Sequence, residues 1–599
     1  MREYTRGGEV EVRPDDNVVA ALRARAAAAP GAPALSVREG DAFVDVAAAE
    51  VAERVWVLAA GIVGIGIEPG DRVAIFSGTR IEFTLLDYAI WAAGAVSVTI
   101  YETSSPDQVQ WIVGNSGAKA IFCENSHLRQ TFDAVAASLG ECKHVFEIEG
   151  GLEPLLAVAK EVDRSAVDAR ADAIGQDDVA TLVYTSGTTG RPKGCVLTHG
   201  NLIWEVRQAV SAAPEVFTDR SSTLMFLPLA HVLARVVQVG CVTQGVRIGY
   251  STGIPKLATE LAMLRPTWVF AVPRVFEKIF DTARRHAGGG LRGRMFEQAV
   301  AAATEWSKAE AAGPVPRSLA IRHGLLDRLV YRKLRAAFGG RARYAISGGA
   351  PLGEDLGHFL RGAGLLVLEG YGLTETTAAA TLNVPHGYRI GTVGRPIPGA
   401  SVHIDPDGEI LLRGGHVFRG YWGNDEATAE VLTPDGWFRT GDVGELDSDG
   451  FLRITGRKKD IIVTAAGKNV APAVLESRIR SHELVSQVLV VGDRKPFIAA
   501  MVTLDAESLI TWAAANDKHT TEPSEITAEL AGDPDVRRVV QEAVDDANTL
   551  VSRAESIRTF RVLPYDFTIA NGELTPTLKL RRAVVLEHYA PVVKEIYGD

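Results

Sequence analysis

Short runs rich in β-branched and aromatic residues alternate with helical stretches through much of the chain. Three of these runs are Arg72–Phe76, Arg247–Tyr250 and Trp268–Ala271, and others occupy residues 120–123, 144–148, 181–184, 344–346 and 365–368. Alternation of strands with helices is typical of an α/β architecture, because the helices cover the faces of the sheet. The pattern therefore predicts an α/β fold.

The sequence pattern changes twice toward the carboxyl end. Turn residues at 405–408, 434–436 and 447–450 separate short strand patterns, so we expect a β-rich subdomain from residue 400 onward. After the basic run at 456–460 the chain again mixes helix and strand patterns. We therefore predict an N-terminal domain over residues 1–458 and a smaller α+β domain over residues 459–599. A helical excursion on the surface is expected between residues 276 and 338.

The charge balance limits the partners of the protein. The chain has 74 acidic and 63 basic residues and a net charge of −11, which disfavours sequence-independent nucleic-acid binding because that needs a basic surface.

The four cysteines of the chain contain no CxxC pair and indicate neither a zinc ribbon nor a disulfide framework. The start of the chain lacks the apolar core of a secretory signal, and the apolar run at 88–101 is shorter than the roughly 20 residues of a membrane span. We expect a cytoplasmic protein.

A loop rich in glycine and hydroxyl groups follows the apolar run at 181–184, with the sequence TSGTTGRPKG at 185–194. Glycine lets the backbone approach phosphate oxygens, hydroxyl and amide groups donate hydrogen bonds to them, and lysine adds a positive charge. The loop is not a Walker motif, because glycine follows Lys193 where Ser or Thr would be needed. A solvated turn is the alternative. The candidate phosphate-binding residues are Thr185, Ser186, Gly187, Thr188, Thr189, Gly190 and Lys193.

Further motifs follow along the chain. They are LPLAH at 227–231, SGGAP at 347–351, GYGLTET at 370–376, DGWFRTGD at 435–442, GRKKD at 456–460 and LTPTLKLRR at 574–582. With the glycine-rich loop they resemble the adenylate-forming superfamily, which includes acyl-CoA synthetases, peptide-synthetase adenylation domains and beetle luciferases. Within it, the segments at 101–105, 272–278 and 456–463 resemble long-chain fatty-acid–CoA ligases. The resemblance extends over roughly residues 16–591.

This resemblance implies an ATP/AMP site. Small residues and an aromatic ring that can stack on a base would form its adenine side, namely Gly349, Ala350, Pro351, Gly370, Tyr371 and Gly372. Asp442 would accept hydrogen bonds from both ribose hydroxyls. Thr374 would hydrogen-bond phosphate, and Arg457 would contact ribose or the α-phosphate. Glu375 would supply the oxygen ligand that Mg²⁺ prefers.

The resemblance also implies which residues act in catalysis. His231 lies where the family has a histidine near the adenylate and the acyl carboxylate, and Lys579 lies where it has the adenylation lysine. With Lys193 and Glu375 they form the candidate catalytic set. Leu578 departs from the pattern, because the family usually has glycine immediately before that lysine.

A moving carboxyl-terminal domain is the third implication of the resemblance. Lys459 corresponds to the hinge about which the small domain of the family rotates. The rotation would withdraw Lys579 and bring the loop containing Gly467 and Lys468 to the CoA side of the site. The implied fold is a large adenylate-forming domain, made of α/β subdomains and a β-rich subdomain, with a smaller mobile α+β domain.

The activity expected from the resemblance is that of a long-chain fatty-acid–CoA ligase. Fatty acid, ATP and CoA would give acyl-CoA, AMP and diphosphate through an acyl-adenylate, with Mg²⁺ as cofactor. Two alternatives remain, a fatty-acyl-AMP ligase that passes the acyl group to a carrier protein and a non-catalytic protein that binds acyl groups or nucleotides. The expected partners are small-molecule substrates, without nucleic acid, and peripheral membrane contact for lipid uptake is considered. Acyl-chain length and oligomeric state stay open.

Overall fold

The computed structural model describes residues 1–185, 191–288, 290–465, 467–518, 525–575 and 578–598 of the 599-residue chain. Strands and helices alternate as the sequence pattern predicts, and the α/β prediction is confirmed. Predicted strand ends are displaced by one to a few residues at several places; the run at 365–368, for example, is the strand Leu366–Tyr371. The apolar run at 88–101 divides between a buried helix, Ile81–Ala92, and a buried strand, Val96–Ile100.

A seven-stranded sheet forms the centre of the large N-terminal part. Val96–Ile100 is buried along its whole length and pairs in parallel with both neighbours, which explains its continuous run of mostly β-branched residues. The strands Val179–Thr185 and Lys193–Thr198, which flank the glycine-rich loop in sequence, are adjacent and antiparallel in this sheet. In spatial order the strands are Gly420–Tyr421, Lys193–Thr198, Val179–Thr185, Val96–Ile100, Arg72–Phe76, Ala118–Cys123 and His144–Glu147.

Three more sheets complete this part of the molecule. A four-stranded sheet has the order Ser222–Met225, Arg247–Tyr250, Pro33–Glu39 and Ala42–Ala47. A five-stranded sheet has the order Trp268–Ala271, Tyr344–Ser347, Leu366–Tyr371, Thr381–Leu382 and Arg395–Pro396. The expected β-rich region forms the remaining sheet, which also recruits the first strand of the chain, in the order Glu3–Thr5, Ser401–Ile404, Glu409–Arg413, Phe438–Leu446 and Leu452–Arg457.

The carboxyl-terminal residues form two small sheets and their own helices. One sheet pairs Ile462–Val463 with Asn469–Val470, and the other has the order Val485–Val491, Ile498–Leu504 and Ile557–Val562. The helices are Pro472–Arg480, Ala506–Ala515, Ile526–Leu530, Pro534–Asn548, Arg582–His588 and Ala590–Tyr597. Their buried apolar side chains form two clusters that contain residues from 462 onward only.

Helices cover the N-terminal sheets, and residue chemistry fixes many of their ends. Ser105 and Gln108 form a capping box at the start of Pro106–Ser116, and Gly117 ends that helix in the left-handed conformation. The α-helices are Val18–Ala28, Ala48–Gly64, Ile81–Ala92, Pro106–Ser116, Ser126–Asp133, Glu153–Ala159, Arg164–Asp172, His199–Ala212, Val232–Gln244, Leu257–Leu264, Pro273–Ala287, Gly290–Ala312, Arg317–Leu326, Arg332–Ala337, Glu354–Gly362 and Asp425–Val431.

A few short helical turns connect these elements. The 3₁₀ turns are Ala136–Ser138, Ile254–Lys256, Thr374–Thr376 and Lys458–Asp460, and a π turn occupies Asp327–Tyr331. The predicted helical excursion between residues 276 and 338 is present. Within the described ranges, no helix is long and apolar enough to span a bilayer.

A buried ion pair holds together two helices of the core. Arg235 Nη2 lies 2.9 Å from Asp87 Oδ1, and both side chains are almost completely excluded from solvent. Ser97 Oγ also donates to Asp87 at 2.6 Å. The pair links helix Ile81–Ala92 to helix Val232–Gln244, whose amino end carries His231. It therefore helps to fix the position of a candidate site residue.

Substitution of Arg235 by Met should strongly destabilise the large domain. The change leaves the Asp87 carboxylate buried without its cation, which costs about 3–5 kcal/mol. Urea denaturation of the full chain should show this loss. The matched control is Arg164→Met, which breaks a 2.7 Å pair with Glu53 between exposed side chains and should cost no more than about 1 kcal/mol. Equal stability losses in the two variants would contradict a structural role for the buried pair.

Candidate active site

A cleft of about 2900 Å³ separates the strand ends of the N-terminal sheets from the carboxyl-terminal residues. Most of the candidate site residues line it: Thr185, His231, Gly349, Ala350, Pro351, Gly370, Tyr371, Gly372, Thr374, Glu375, Asp442, Arg457, Lys459 and Lys579. Ser186, Gly187, Thr188, Thr189 and Gly190 lie outside the described residues. Motifs that are far apart in sequence therefore meet at one place in the fold.

Two glycine-containing segments follow the carboxyl ends of neighbouring parallel strands and form one wall of the cleft. Strands Tyr344–Ser347 and Leu366–Tyr371 are parallel, so the segments at 348–351 and 372–376 begin side by side at their carboxyl ends. Gly349 has a positive φ of 85°. At Gly372 an added Cβ would lie 1.6 Å from the carbonyl oxygen of Ala378, so only glycine fits there.

Asp442 connects two other site residues. Tyr371 donates its hydroxyl to Asp442 Oδ2 at 2.7 Å, and Arg457 Nε donates to Oδ1 at 2.7 Å. Asp442 and Arg457 are also paired across neighbouring strands of the β-rich sheet. Burial, and then the Asp442 charge, hold the pKa of Tyr371 well above its ordinary value. The phenol therefore stays protonated and keeps donating to the carboxylate.

Lys579 enters the cleft from the carboxyl-terminal part and lies beside Gly349. A Cβ added to that glycine would be 3.6 Å from Lys579 Cε and 3.9 Å from Nζ. The surrounding protein and the charge of Arg457 lower the pKa of Lys579, whereas Asp442 and Glu375 oppose the shift. Solvent in the cleft still reaches the side chain, which favours the charged form. The lysine can therefore offer an ammonium group to an anion bound against Gly349.

His231 presents a neutral imidazole at the junction of the cleft and a small apolar pocket. The ring caps helix Val232–Gln244, because Nδ1 accepts a hydrogen bond from the Leu233 amide at 3.2 Å. Burial and the charge of Lys579 lower the pKa of His231 to about 3. Since Nδ1 is an acceptor, the neutral ring carries its proton on Nε2, which can donate to a carboxylate or carbonyl oxygen.

Lys193 and Glu375 are brought together by a residue that the sequence motifs do not include. Tyr421 donates its hydroxyl to Glu375 Oε1 at 2.8 Å, and Lys193 Nζ lies 4.8 Å from the centre of the Tyr421 ring. Tyr421 reaches this position because its short strand pairs with Lys193–Thr198 at the edge of the seven-stranded sheet. The only available signal was an aromatic residue after Gly420, which is too common to single out.

Glu369 is a second cleft residue that sequence reasoning missed. It is buried within the strand Leu366–Tyr371 and accepts a hydrogen bond from the Leu352 amide at 3.0 Å. Burial raises its pKa to about 7. A carboxyl with that pKa changes charge near neutrality, and this one lines the cleft next to Leu352, the residue after the turn at 348–351. Its position in an apolar strand, one residue before Gly370, gave no sign of this.

The cleft provides a partial site for a divalent cation. In the described part of the chain, no three His, Cys, Asp or Glu side chains converge as metal ligands. Glu375 offers one carboxylate oxygen that is not used by Tyr421. Mg²⁺ is commonly held by one or two carboxylates together with substrate phosphates, so this donor set fits an ion that arrives with a nucleotide.

The hinge and loop candidates lie in different places. Lys459 is in the first turn of the helix Lys458–Asp460 and lines the cleft. Gly467 and Lys468 do not contribute to the described wall of the cleft. Lys468 Nζ instead lies 3.4 Å from Glu555, and Gly467 has a positive φ of 76°. This arrangement places Lys579, and not the 467–468 loop, at the site.

Comparison with known proteins identifies the family. The family described as "AMP-binding enzyme" matches residues 22–422, and that described as "AMP-binding enzyme C-terminal domain" matches residues 459–599. The chain belongs to the AMP-binding enzyme family. The expected adenylate-forming superfamily is thereby confirmed.

Curated relatives of this AMP-binding enzyme are similar over nearly their whole length. The long-chain-fatty-acid–CoA ligase FadD15 of Mycobacterium bovis is 49% identical over 560 residues, which is 93% of each chain. The peroxisomal long chain acyl-CoA synthetase 7 of Arabidopsis thaliana is 32% identical over 591 residues, covering 92% of this chain and 81% of the relative.

Solved structures share the fold of this AMP-binding enzyme. A Mycobacterium tuberculosis fatty acyl CoA synthetase has a TM-score of 0.62 at 24% identity and covers 96% of this chain and 99% of its own. The adenylation domain of a carboxylate reductase from Mycobacterium chelonae has a TM-score of 0.74 at 22% identity, covering 98% and 92%. At these identities the likeness concerns the fold alone.

Leu578 of this AMP-binding enzyme has a backbone conformation suited to glycine. Its φ is +60°, and its amide donates to the Thr575 carbonyl at 2.8 Å. Thr575 Oγ1 in turn accepts from the Lys579 amide at 3.0 Å. The tight turn explains why the family pattern has glycine at this position, and the leucine side chain adds backbone strain immediately before Lys579.

Glycine at position 578 should stabilise the protein relative to alanine. In the left-handed conformation a Cβ costs roughly 1–2 kcal/mol, so Leu578→Gly should be more stable than Leu578→Ala by about 1 kcal/mol in urea unfolding. Leu586 is the matched control because it is similarly exposed but helical. There the order should invert, with Gly less stable than Ala by roughly 0.5–1 kcal/mol. The same order at both positions would contradict the strain at Leu578.

Proposed function

We propose that the protein is a long-chain fatty-acid–CoA ligase that acts through an acyl-adenylate. In the first step a fatty carboxylate attacks the α-phosphorus of ATP, giving acyl-AMP and diphosphate. In the second step the CoA thiolate attacks the acyl carbon and releases AMP. The observation that carries the proposal is the convergence of Lys579 with His231, Arg457 and Asp442 beside Gly349. The names of the curated relatives support the same assignment.

The geometry supports a division of labour in the first step. Asp442 has both carboxylate oxygens engaged by protein donors, yet it lies in the cleft wall at 4% exposure, where ribose hydroxyls can compete for its lone pairs. Arg457 and Lys579 would offset the charge that develops on the phosphates. His231 Nε2 would donate to the carboxylate of the fatty acid or to the acyl carbonyl of the adenylate.

Magnesium is assigned to Glu375 in this proposal. When bound, the ion would neutralise phosphate oxygens and orient the departing diphosphate. Glu375 is held in place by the Tyr421 hydroxyl, and Lys193 Nζ lies over that ring, 4.8 Å from its centre. The protein would thus supply one carboxylate and a nearby cation, and the triphosphate would supply the remaining ligands.

A movable domain over residues 459–599 is part of the proposal. Buried apolar clusters on the two sides of residue 459 are separate. The contacts between the two parts include ion pairs between partly exposed side chains, such as Arg274 with Asp505 at 3.4 Å and Arg478 with Asp355 at 3.1 Å. Polar contacts of this kind can break and reform at small cost. Rotation about Lys459 would remove Lys579 and admit the 467–468 loop.

The decisive experiment measures AMP formation with and without CoA across carboxylates from acetate to long-chain acids. We expect long-chain acids to be preferred and AMP release to require CoA. Transfer to a carrier protein but not to CoA would identify a fatty-acyl-AMP ligase instead. Absence of acid-dependent diphosphate release would leave a protein that only binds its ligands.

We also propose a cytoplasmic location, since ATP and CoA are both required.

Lys579→Ala should separate the two half-reactions. Loss of the ammonium beside Gly349 should lower fatty-acid-dependent diphosphate release by at least about 100-fold, the usual cost of removing a transition-state charge donor. Thioester formation from supplied acyl-AMP and CoA should be retained. Lys594→Ala removes an exposed lysine from the last helix and serves as the control. A parallel loss of both half-reactions would show that Lys579 is not confined to the first.

Lys459→Pro should have the opposite effect. Position 459 is in the first turn of a short helix, where proline is tolerated, so the present orientation should survive. Proline fixes φ near −65° and so restricts the rotation. Diphosphate release should continue, whereas thioester formation should fall by about 100-fold, the scale expected when a reacting group cannot reach its working position.

The control for the hinge is Lys459→Ala, which removes the charge but leaves the backbone free. It should support both half-reactions. Gly467→Leu is a less direct test, because the positive φ of Gly467 strains any side chain there. If Lys459→Pro loses both half-reactions, or neither, the rotation mechanism does not apply to this protein.

A further inference from the structure

The helical segment at 317–337 carries an apolar row on its outer surface. Ile321, Leu325 and Leu329 are 68%, 61% and 52% exposed. They recur every four residues and therefore lie along one face of the segment. Single exposed apolar side chains are ordinary, but three in a row on one helical face are not. This apolar row needs an explanation.

Packing within the domain does not account for the row, because it is a neighbouring face of the same segment that serves the core. Leu326, Val330 and Leu334 are buried there, in an apolar cluster that also contains Phe276, Phe338 and Phe359 of the N-terminal part. The segment is thus apolar on two sides and buries only one. A helix with this pattern usually has a second apolar surface to contact.

Basic side chains border the apolar row. The segment contains six basic residues and one acidic residue, a local charge of +5 in a chain whose net charge is −11. Asp327, the acidic residue, is already paired with Arg335 at 2.7 Å. Among the described residues, no carboxylate lies within ion-pair distance of the exposed Arg317, Arg328, Arg332 and Lys333. These cations are free to contact an anionic surface.

The segment lies on the outer side of a helix that lines the cleft. Tyr331 donates its hydroxyl to the Ala299 carbonyl at 2.8 Å, and Arg322 pairs with Glu305 at 2.5 Å. Both partners belong to Gly290–Ala312, and Val300, Thr304 and Glu305 of this helix face the cleft. Contacts made by the segment therefore occur one helix away from the site.

We propose that the outer face of the 317–337 segment docks the protein on a lipid bilayer that contains anionic headgroups. The apolar row would insert at the level of the headgroups, and the flanking arginines and lysine would contact lipid phosphates. Apolar side chains between long basic ones match a bilayer surface, which has hydrocarbon below a layer of negative charge. The proposal goes beyond ligase activity and does not depend on it.

Vesicle co-sedimentation of the full-length protein tests the docking. Phosphatidylcholine vesicles are compared with vesicles that also contain phosphatidylglycerol. The protein should bind the anionic vesicles, bind the neutral ones much less, and lose binding as salt is raised. Two triple variants are compared, Ile321→Gln/Leu325→Gln/Leu329→Gln and Arg328→Gln/Arg332→Gln/Lys333→Gln. Each should lower the partition onto anionic vesicles by at least about tenfold.

Matched controls change exposed residues elsewhere. Ile510→Gln/Leu550→Gln alters side chains that are 41% and 56% exposed, and Lys143→Gln/Lys160→Gln/Arg553→Gln removes three exposed cations. Both controls should bind vesicles like the unchanged protein, and circular dichroism should be the same for all variants. Wild-type protein that fails to bind, or triple variants that bind normally, would overturn the proposal. So would a dimer in light scattering that the apolar triple variant dissociates, because the row would then be a protein interface.

Discussion

The Asp442 carboxylate is the point on which the site depends. It accepts from Tyr371 and from Arg457, and so joins the carboxyl end of the middle strand of one five-stranded sheet to the last two strands of the other. Arg457 immediately precedes the turn at 458–460, through which the chain passes to its carboxyl-terminal part. Any displacement of Asp442 would therefore move both the Tyr371 side chain in the cleft and Arg457, which precedes the turn that leads to the part of the chain carrying Lys579.

Charge in the cleft is arranged for an anion that is absent from the free protein. Burial, and then repulsion by the Arg457 charge, lower the pKa of Lys579, and Asp442 and Glu375 only partly oppose this shift. Binding of phosphates would relieve this repulsion. Burial, and then the charge of Lys579, keep His231 neutral, so that the imidazole acts as a hydrogen-bond donor and not as a further cation.

Backbone constraints explain why several small residues cannot be exchanged. Gly372 has the Ala378 carbonyl where a Cβ would be, and Gly349 has a φ of +85° that would strain any side chain. Leu578 shows the opposite case, a branched side chain in a conformation with φ of +60°. The strain is local and lies next to the residue that must enter and leave the site in the proposed mechanism. A turn held by hydrogen bonds to Thr575 keeps it in place.

Sequence alone determined the features that short-range patterns encode. The α/β alternation, the β-rich region after residue 400 and the buried course of the 88–101 run follow from residue periodicity and turn chemistry. The site motifs were recognised by their resemblance to the adenylate-forming superfamily, and most of their described residues line one cleft. Strand ends were less well predicted, because hydrogen bonding to neighbouring strands extends or shortens a strand beyond its own apolar run.

Only the tertiary structure decided which distant residues meet. Tyr421 contacts Glu375 because an edge strand returns to the central sheet, and Glu369 acquires a raised pKa because its surroundings exclude water. The row of Ile321, Leu325 and Leu329 is exposed because the other face of the segment is used by the core. A local pattern shows that a helix has two apolar faces. Which face remains in solvent depends on packing between segments far apart in sequence, and no local pattern contains that information.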